Sequence, residues 1–108
     1  MCKVFVTSEN VGLDYSPAEG WGELQFITNK DFTAMGELSP SNADLVREIR
    51  KQLLKFNAEE DLVIVSGSPL VSAVVFMMLG KMGVKRISVL RWSNRDHVYY
   101  RTSVNIEV

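Results

Sequence analysis

Ser8, Asn10, Lys30, Gly67, Ser68, Arg91 and Trp92 are the residues of this chain whose types and positions suit the holding of an anion. Each lies just after a short apolar run, where an open parallel sheet gathers its ligands. Gly67 lets the chain turn sharply, and the backbone N–H groups of the run that follows, with a helix dipole behind them, attract negative charge. Arg91 or Lys30 adds a cation, and Trp21 or Trp92 offers a face on which a base can stack. The ligand class this implies is a nucleotide or another phosphorylated small molecule. The motif itself is short. A dinucleotide fingerprint has three glycines and a Walker loop adds GK[ST]; neither pattern is present. Pro69 also removes one N–H from the turn. Gly67 as a tight strand-to-helix bend and Ser68 as a helix cap are the simpler uses, and they rank ahead of phosphate binding.

Catalytic sets are not found. Ser66-Gly67-Ser68 is not a GxSxG elbow, and the sole histidine, His97, falls in or beside a hairpin. Asp14, Glu19 and Glu23 have the spacing of solvated loop carboxylates. With no nucleophile and base to pair, enzymatic activity is not the expected function. No Cys/His spacing suggests zinc, and no cofactor or metal is expected. Tyr99 and Tyr100, with Trp92 and Arg95, resemble an aromatic-basic surface for a nucleic acid strand. Adjacent strand residues point to opposite faces, so one tyrosine belongs to the core.

The segment that must position these residues is Asp61–Met82. Leu62-Val63-Ile64-Val65 is a continuous aliphatic run without polar alternation, the pattern of a strand covered on both faces. Gly67, Ser68 as N-cap and Pro69 at the first helical position predict a helix starting at Pro69. Its body is apolar on every side apart from Ser72, and Gly83 suits the left-handed residue that ends it. Val84–Trp92 reads as the next strand, completing a right-handed parallel βαβ unit.

Cys2–Thr7 and Glu23–Thr28 read as strands, the second with Leu24, Phe26 and Thr28 on one face. Between them Ser8–Gly22 is a turn-rich connection in which a crossover helix is not evident. Ser41 with Asp44 resembles a capping box opening an amphipathic helix that runs to about Phe56. Ser93–Asp96 is a polar turn, and His97–Arg101 returns antiparallel, with Thr102–Val108 still extended. The expected architecture is α/β: a single small Rossmann-like domain over residues 1–108, ordered β-β-α-β-α-β-β. Its sheet is mainly parallel with an antiparallel C-terminal strand, in the order 2-1-3-4-5 if the first strand sits beside the central one. Whether both helices share a face stays open.

The chain has 108 residues, 46% of them hydrophobic and 23% charged, with a net charge of −1. No basic excess exists to neutralise phosphates, so a general nucleic-acid or membrane-surface binder is not expected. The apolar helix falls short of the roughly 20 residues a bilayer requires. Cys2 is the only cysteine, and no signal peptide is read at the start, so a cytoplasmic location is expected. Met77, Met78 and Met82 on an all-apolar helix favour an adaptable contact surface and a homo-oligomer.

Three stretches, Leu13–Leu24, Asp61–Val74 and Val89–Tyr100, resemble a group of short uncharacterised bacteriophage proteins. The shared features are Asp14-x-Ser16-x-Ala18-Glu19 before the second strand, the Gly67-Ser68-Pro69 turn opening a helix, and Arg91-Trp92 ending a late strand. The strand–Gly–Ser–helix opening is also similar to Rossmann-like domains that sense nucleotides. The resemblance implies a phage accessory protein in the host cytoplasm. Two functions follow as expectations: binding of a nucleotide or other anion at the strand ends, or a protein-interaction module acting as a homo-oligomer without a small ligand.

Overall fold

Leu62, Val63 and Ile64 are all buried, and they form the middle strand of the sheet, as their unbroken aliphatic character predicts. A computed structural model of the chain describes residues 2–34, 36 and 38–107. The strands are β1 (Lys3–Val6), β2 (Glu23–Phe26), β3 (Leu62–Ile64), β4 (Arg86–Ser93) and β5 (Val98–Asn105). The helices are α1 (Pro40–Leu53) and α2 (Pro69–Lys81), with a short 3-10 turn at Ser16–Ala18. The strands make one five-stranded sheet in the expected order, β2-β1-β3-β4-β5. Pairing is parallel as far as β4, and β5 returns antiparallel to it.

The question of faces is settled by handedness. The β1–β2 connection moves toward one edge of the sheet, whereas β2–β3 and β3–β4 move toward the other. Right-handed crossovers running in opposite directions lie on opposite faces. Accordingly α1 and α2 share a face, where Leu45, Ile49, Val71, Val75 and Leu79 pack over Phe5. The first connection covers the other face alone, inserting Tyr15 and Ala18 against Val6, Ile64, Leu90 and Tyr99. A long loop therefore replaces a crossover helix, and Tyr15 packs edge-on against Phe26 with ring centroids 5.4 Å apart.

Local chemistry explains most boundaries. At α2 the Ser68 hydroxyl accepts from the Val71 N–H at 3.3 Å, Pro69 takes the first helical position, and Gly83 follows the end with φ +88°. Its all-apolar surface is divided: Val71, Val75, Met78 and Leu79 are buried, while Leu70 and Met77 are exposed.

The capping box expected at Ser41 does not form. Pro40 already takes the first helical position after Ser39, and Asp44 pairs instead with Arg47 at 2.8 Å. That helix ends at Leu53, short of Phe56, whose ring still packs edge-on against Phe5 at 5.3 Å. His97 belongs to the hairpin turn, with φ +55°, and the last strand closes at Asn105. Val108, expected to continue it, lies outside the described residues.

Two close approaches tie the strand ends together. Gly67 has φ +70°, and a Cβ there would lie 2.5 Å from the Ser8 Oγ and 2.6 Å from its carbonyl oxygen. Only glycine fits both the angle and the space. At the opposite end of the sheet the buried Asp61 carboxylate accepts the backbone N–H groups of Lys3 at 2.9 Å and Asn57 at 2.7 Å. It joins the start of β1 to the turn before β3.

Candidate functional site

The residues past the C-terminal ends of β1 to β4 frame two separate recesses. The larger, about 640 Å³, lies on the face covered by the first connection. Its register explains it: β3 and β4 are matched at Val63–Val89, and beyond that pair the strands run on into Val65-Ser66 and Arg91-Trp92. Ile64, Leu90, Trp92 and Tyr99 supply an apolar and aromatic lining, and Leu13 and Pro17 of the first connection close it from above. Its charged residues are Asp14 and Arg91.

A hydroxyl relay forms its inner wall. The Asn10 N–H donates to the Tyr15 hydroxyl at 2.8 Å, and that hydroxyl lies 2.6 Å from the Ser66 Oγ. Ser66 is held in turn through its backbone: its N–H donates to the Thr7 Oγ1 at 3.1 Å, and the Thr7 hydroxyl lies 3.1 Å from the Ser66 carbonyl oxygen. Thr7 Oγ1 also sits 2.7 Å from the Ser72 Oγ on α2. Both helical and loop faces thus fix the position of Ser66.

The charges in this recess have defined states. The Ser16 backbone N–H donates to the Asp14 carboxylate at 2.9 Å, and bonding from Ser16 holds that carboxyl below the usual aspartate value. Burial, followed by the nearby Tyr15 and Asp14, pushes the Tyr99 phenol above its ordinary value. Tyr99 is therefore a neutral ring, and Trp92 packs against it at 5.0 Å and 64°. The Arg91 guanidinium has no hydrogen bond or ion pair among the described residues.

The smaller recess, about 330 Å³, lies between the ends of β1 and β2 and the start of α2. Ser8, Asn10, Lys30, Gly67 and Ser68 line it together with Glu9 and Asp31. The anion expected before α2 has a counterpart within the chain. Asp31 Oδ1 accepts from the Ser68 hydroxyl at 2.7 Å and from the Phe32 N–H at 2.7 Å. Lys30 Nζ lies 3.8 Å from a Glu48 carboxylate oxygen. The lining sets two carboxylates, Glu9 and Asp31, against the one ammonium of Lys30, which Glu48 also approaches, and this balance opposes a further anion.

The residues read from the sequence as one site are thus divided. Ser8, Asn10, Lys30, Gly67 and Ser68 meet in the smaller recess, and Arg91 and Trp92 line the larger. Tyr15 and Asp14 join the larger recess from outside the residues that the sequence points to. A signal for them was present: Asp14-x-Ser16-Pro17 is the chemistry of an Asx turn leading into a helical turn.

A family model described as phage Pam3 gp32-like protein matches residues 2–106. The chain belongs to that family. A phage family is what the resemblance at Leu13–Leu24, Asp61–Val74 and Val89–Tyr100 implied, and those stretches lie within the matched span. No curated protein and no solved structure matches this gp32-like chain. Its likeness to Rossmann-type folds rests on its own strand order. Among its described residues no His, Cys, Asp or Glu cluster is arranged to hold a metal ion, and no helix is long and apolar enough to cross a membrane.

Proposed function

We propose that this gp32-like protein is a phage accessory protein that binds a small ring-bearing anion, of nucleoside monophosphate size, in the larger recess. The observation that carries the reading is the convergence of Trp92, Tyr99 and the Tyr15–Ser66 hydroxyl pair in one cavity of about 640 Å³, with Arg91 at its rim. Small-molecule sites are concave, mostly apolar, and fixed by a few convergent polar groups, within roughly 300–1,000 Å³. Trp92, partly exposed in the recess, offers an indole surface for a flat ring. Arg91 pairs with Tyr100 on the opposite face from Trp92 and Tyr99, so its guanidinium meets a phosphate or carboxylate only at the open end of the recess, past the end of β3. Ser66 keeps acceptor capacity beyond its bond to Tyr15.

The ligand class expected from the sequence is retained and its place is shifted. The turn at Gly67 serves geometry, since its φ and the approach of Ser8 already require glycine. The protein acts by binding and not by catalysis, in the cytoplasm of the infected cell. Thermal-shift measurements with a panel of nucleoside mono- and diphosphates test this. A ligand that prefers the folded state raises the melting temperature. Arg91→Ala removes the rise, whereas Ser68→Ala leaves the ligand-induced increment in place.

A further inference from the structure

We infer that two copies of this chain pair edge to edge through β5, antiparallel about a two-fold axis at Thr102. The two ends of the sheet differ in how they are finished. The β2 edge is four residues long, whereas β5 runs for eight residues, Val98–Asn105, with no strand on its outer side. Proteins blunt long edges with proline, lysine or bulges. β5 carries no proline and no lysine, and Arg101 is its single charge.

The backbone identifies which groups face outward. The Ile106 N–H donates to the Lys85 carbonyl oxygen at 2.9 Å, in line with the β4–β5 register. Antiparallel ladders alternate, so the even-numbered residues of β5 spend their N–H and C=O groups on β4. Tyr99, Arg101, Ser103 and Asn105 point theirs out of the sheet. The even-numbered side chains share the other property. Tyr99 packs with Leu90 on the face of the first connection, so Val98, Tyr100, Thr102 and Val104 lie on the opposite face. No helix buries them: Val98 is 43% exposed, Tyr100 52%, Val104 46%, and Ile106 just beyond is 69% exposed.

A second copy is the occupant that this edge matches. An antiparallel pair is the strand arrangement a two-fold axis generates, and the contact is isologous and closed. Centred on Thr102, the register sets Tyr100 against the partner's Val104 and Val98 against the partner's Ile106, so every apolar residue of the stripe meets another. On the other face it sets His97 opposite the partner's Glu107 and Arg101 opposite the partner's Ser103, with no like charges directly facing. Centring on Arg101 places two guanidinium groups face to face, which is unfavourable. Centring on Ser103 sets Thr102 against Val104 and gives a poorer apolar match. With the odd residues bonded across the junction, Thr102 meets its own copy as a non-hydrogen-bonded pair, with Cα atoms about 4.5 Å apart.

Light scattering and cysteine cross-linking of the full chain test the inference. The expected mass is near twice 12.2 kDa, and Val104→Lys yields a monomer at a concentration where the parent is dimeric. Thr102→Cys links to itself as a disulfide under mild oxidation, because that Cα separation is within disulfide range. Val104→Cys does not, since in this register its two copies are displaced along the strands. The parent, carrying Cys2 alone, sets the background. A monomer at all concentrations overturns the proposal. So does a dimer that Val104→Lys leaves intact, or one in which Val104→Cys links and Thr102→Cys does not. Far-ultraviolet circular dichroism confirms that each variant is folded before its mass is read.

Discussion

The Tyr15 hydroxyl lies 2.6 Å from the Ser66 Oγ, joining the middle of the first connection to the residue two positions beyond β3. This bond gives an otherwise irregular segment a fixed seat on the sheet. It also forms the inner wall of the recess that holds Arg91 and Trp92.

Tyr15→Phe keeps the ring in the core and removes the hydroxyl. The Asn10 N–H loses its acceptor, and Ser66 loses its partner. A loss of about 1–2 kcal/mol is expected, between the net worth of one hydrogen bond and the cost of leaving groups unsatisfied. Urea unfolding measures it. Ser66→Ala should cost less than additivity predicts when combined with Tyr15→Phe, because the two changes remove the same bond.

Glycines in two settings should respond in opposite directions. Gly67→Ala forces a Cβ to within 2.5 Å of the Ser8 Oγ at φ +70°. A loss of about 2 kcal/mol or more is expected from strain and displacement. Gly80 lies inside α2 with nothing within 4 Å of a built Cβ. Gly80→Ala should therefore stabilise by about 0.5–1 kcal/mol, the helix-propensity difference. Thermal melting of both variants separates the two effects.

Asp61→Ala should be among the most damaging changes outside the apolar core. It strips the acceptor from the Lys3 and Asn57 N–H groups in a buried position. About 2–4 kcal/mol follows from leaving donors unsatisfied. Chemical denaturation checks it, and a change below about 0.5 kcal/mol would show that water replaces the carboxylate without cost.

The parts legible in the sequence are those with strong local chemistry. Leu62–Val65 has no polar alternation, and Gly67-Ser68-Pro69 stacks three helix-start signals, so the central strand and α2 could be read directly, whereas the strand order followed only on the condition that β1 lies beside β3. The alternation rule required one of Tyr99 and Tyr100 to be inside, and it is Tyr99 that is buried. Tyr15 and Ala18 were harder because a loop with one 3-10 turn has no periodicity, and its burial arises from a tertiary requirement to cover a sheet face. The capping box at Ser41 failed because Pro40, one residue earlier, already fits the first helical position. The division of the site was also out of reach. Residues at neighbouring strand ends sort to one face or the other by local twists and by contacts such as Asp31 to Ser68.

Cys2 provides a pH-dependent prediction. Burial, then the negative charges of Asp61 and Glu60, raises its thiol above the ordinary value. The folded state therefore holds this proton where the unfolded chain releases it. Its contribution to stability is complete below the unfolded thiol value and is lost as pH rises through the folded one. Between about pH 8 and 9, around the unperturbed thiol pKa, alkylation by iodoacetamide should be slower in the native protein than in urea. Equal rates in the two states would contradict the shift.

The ring-bearing anion proposed for the recess beside Tyr15 and Ser66 can be read through an indole in its lining. Trp92 lines that recess, and Trp21→Phe leaves Trp92 as the remaining indole. Fluorescence of Trp21→Phe, excited at the indole edge and titrated with adenosine monophosphate and then other nucleoside monophosphates, reads the site directly. A saturable change in Trp92 emission is expected with at least one of them, lost when Arg91→Ala is added. No saturable change with any nucleotide, or the same change without Arg91, would contradict it.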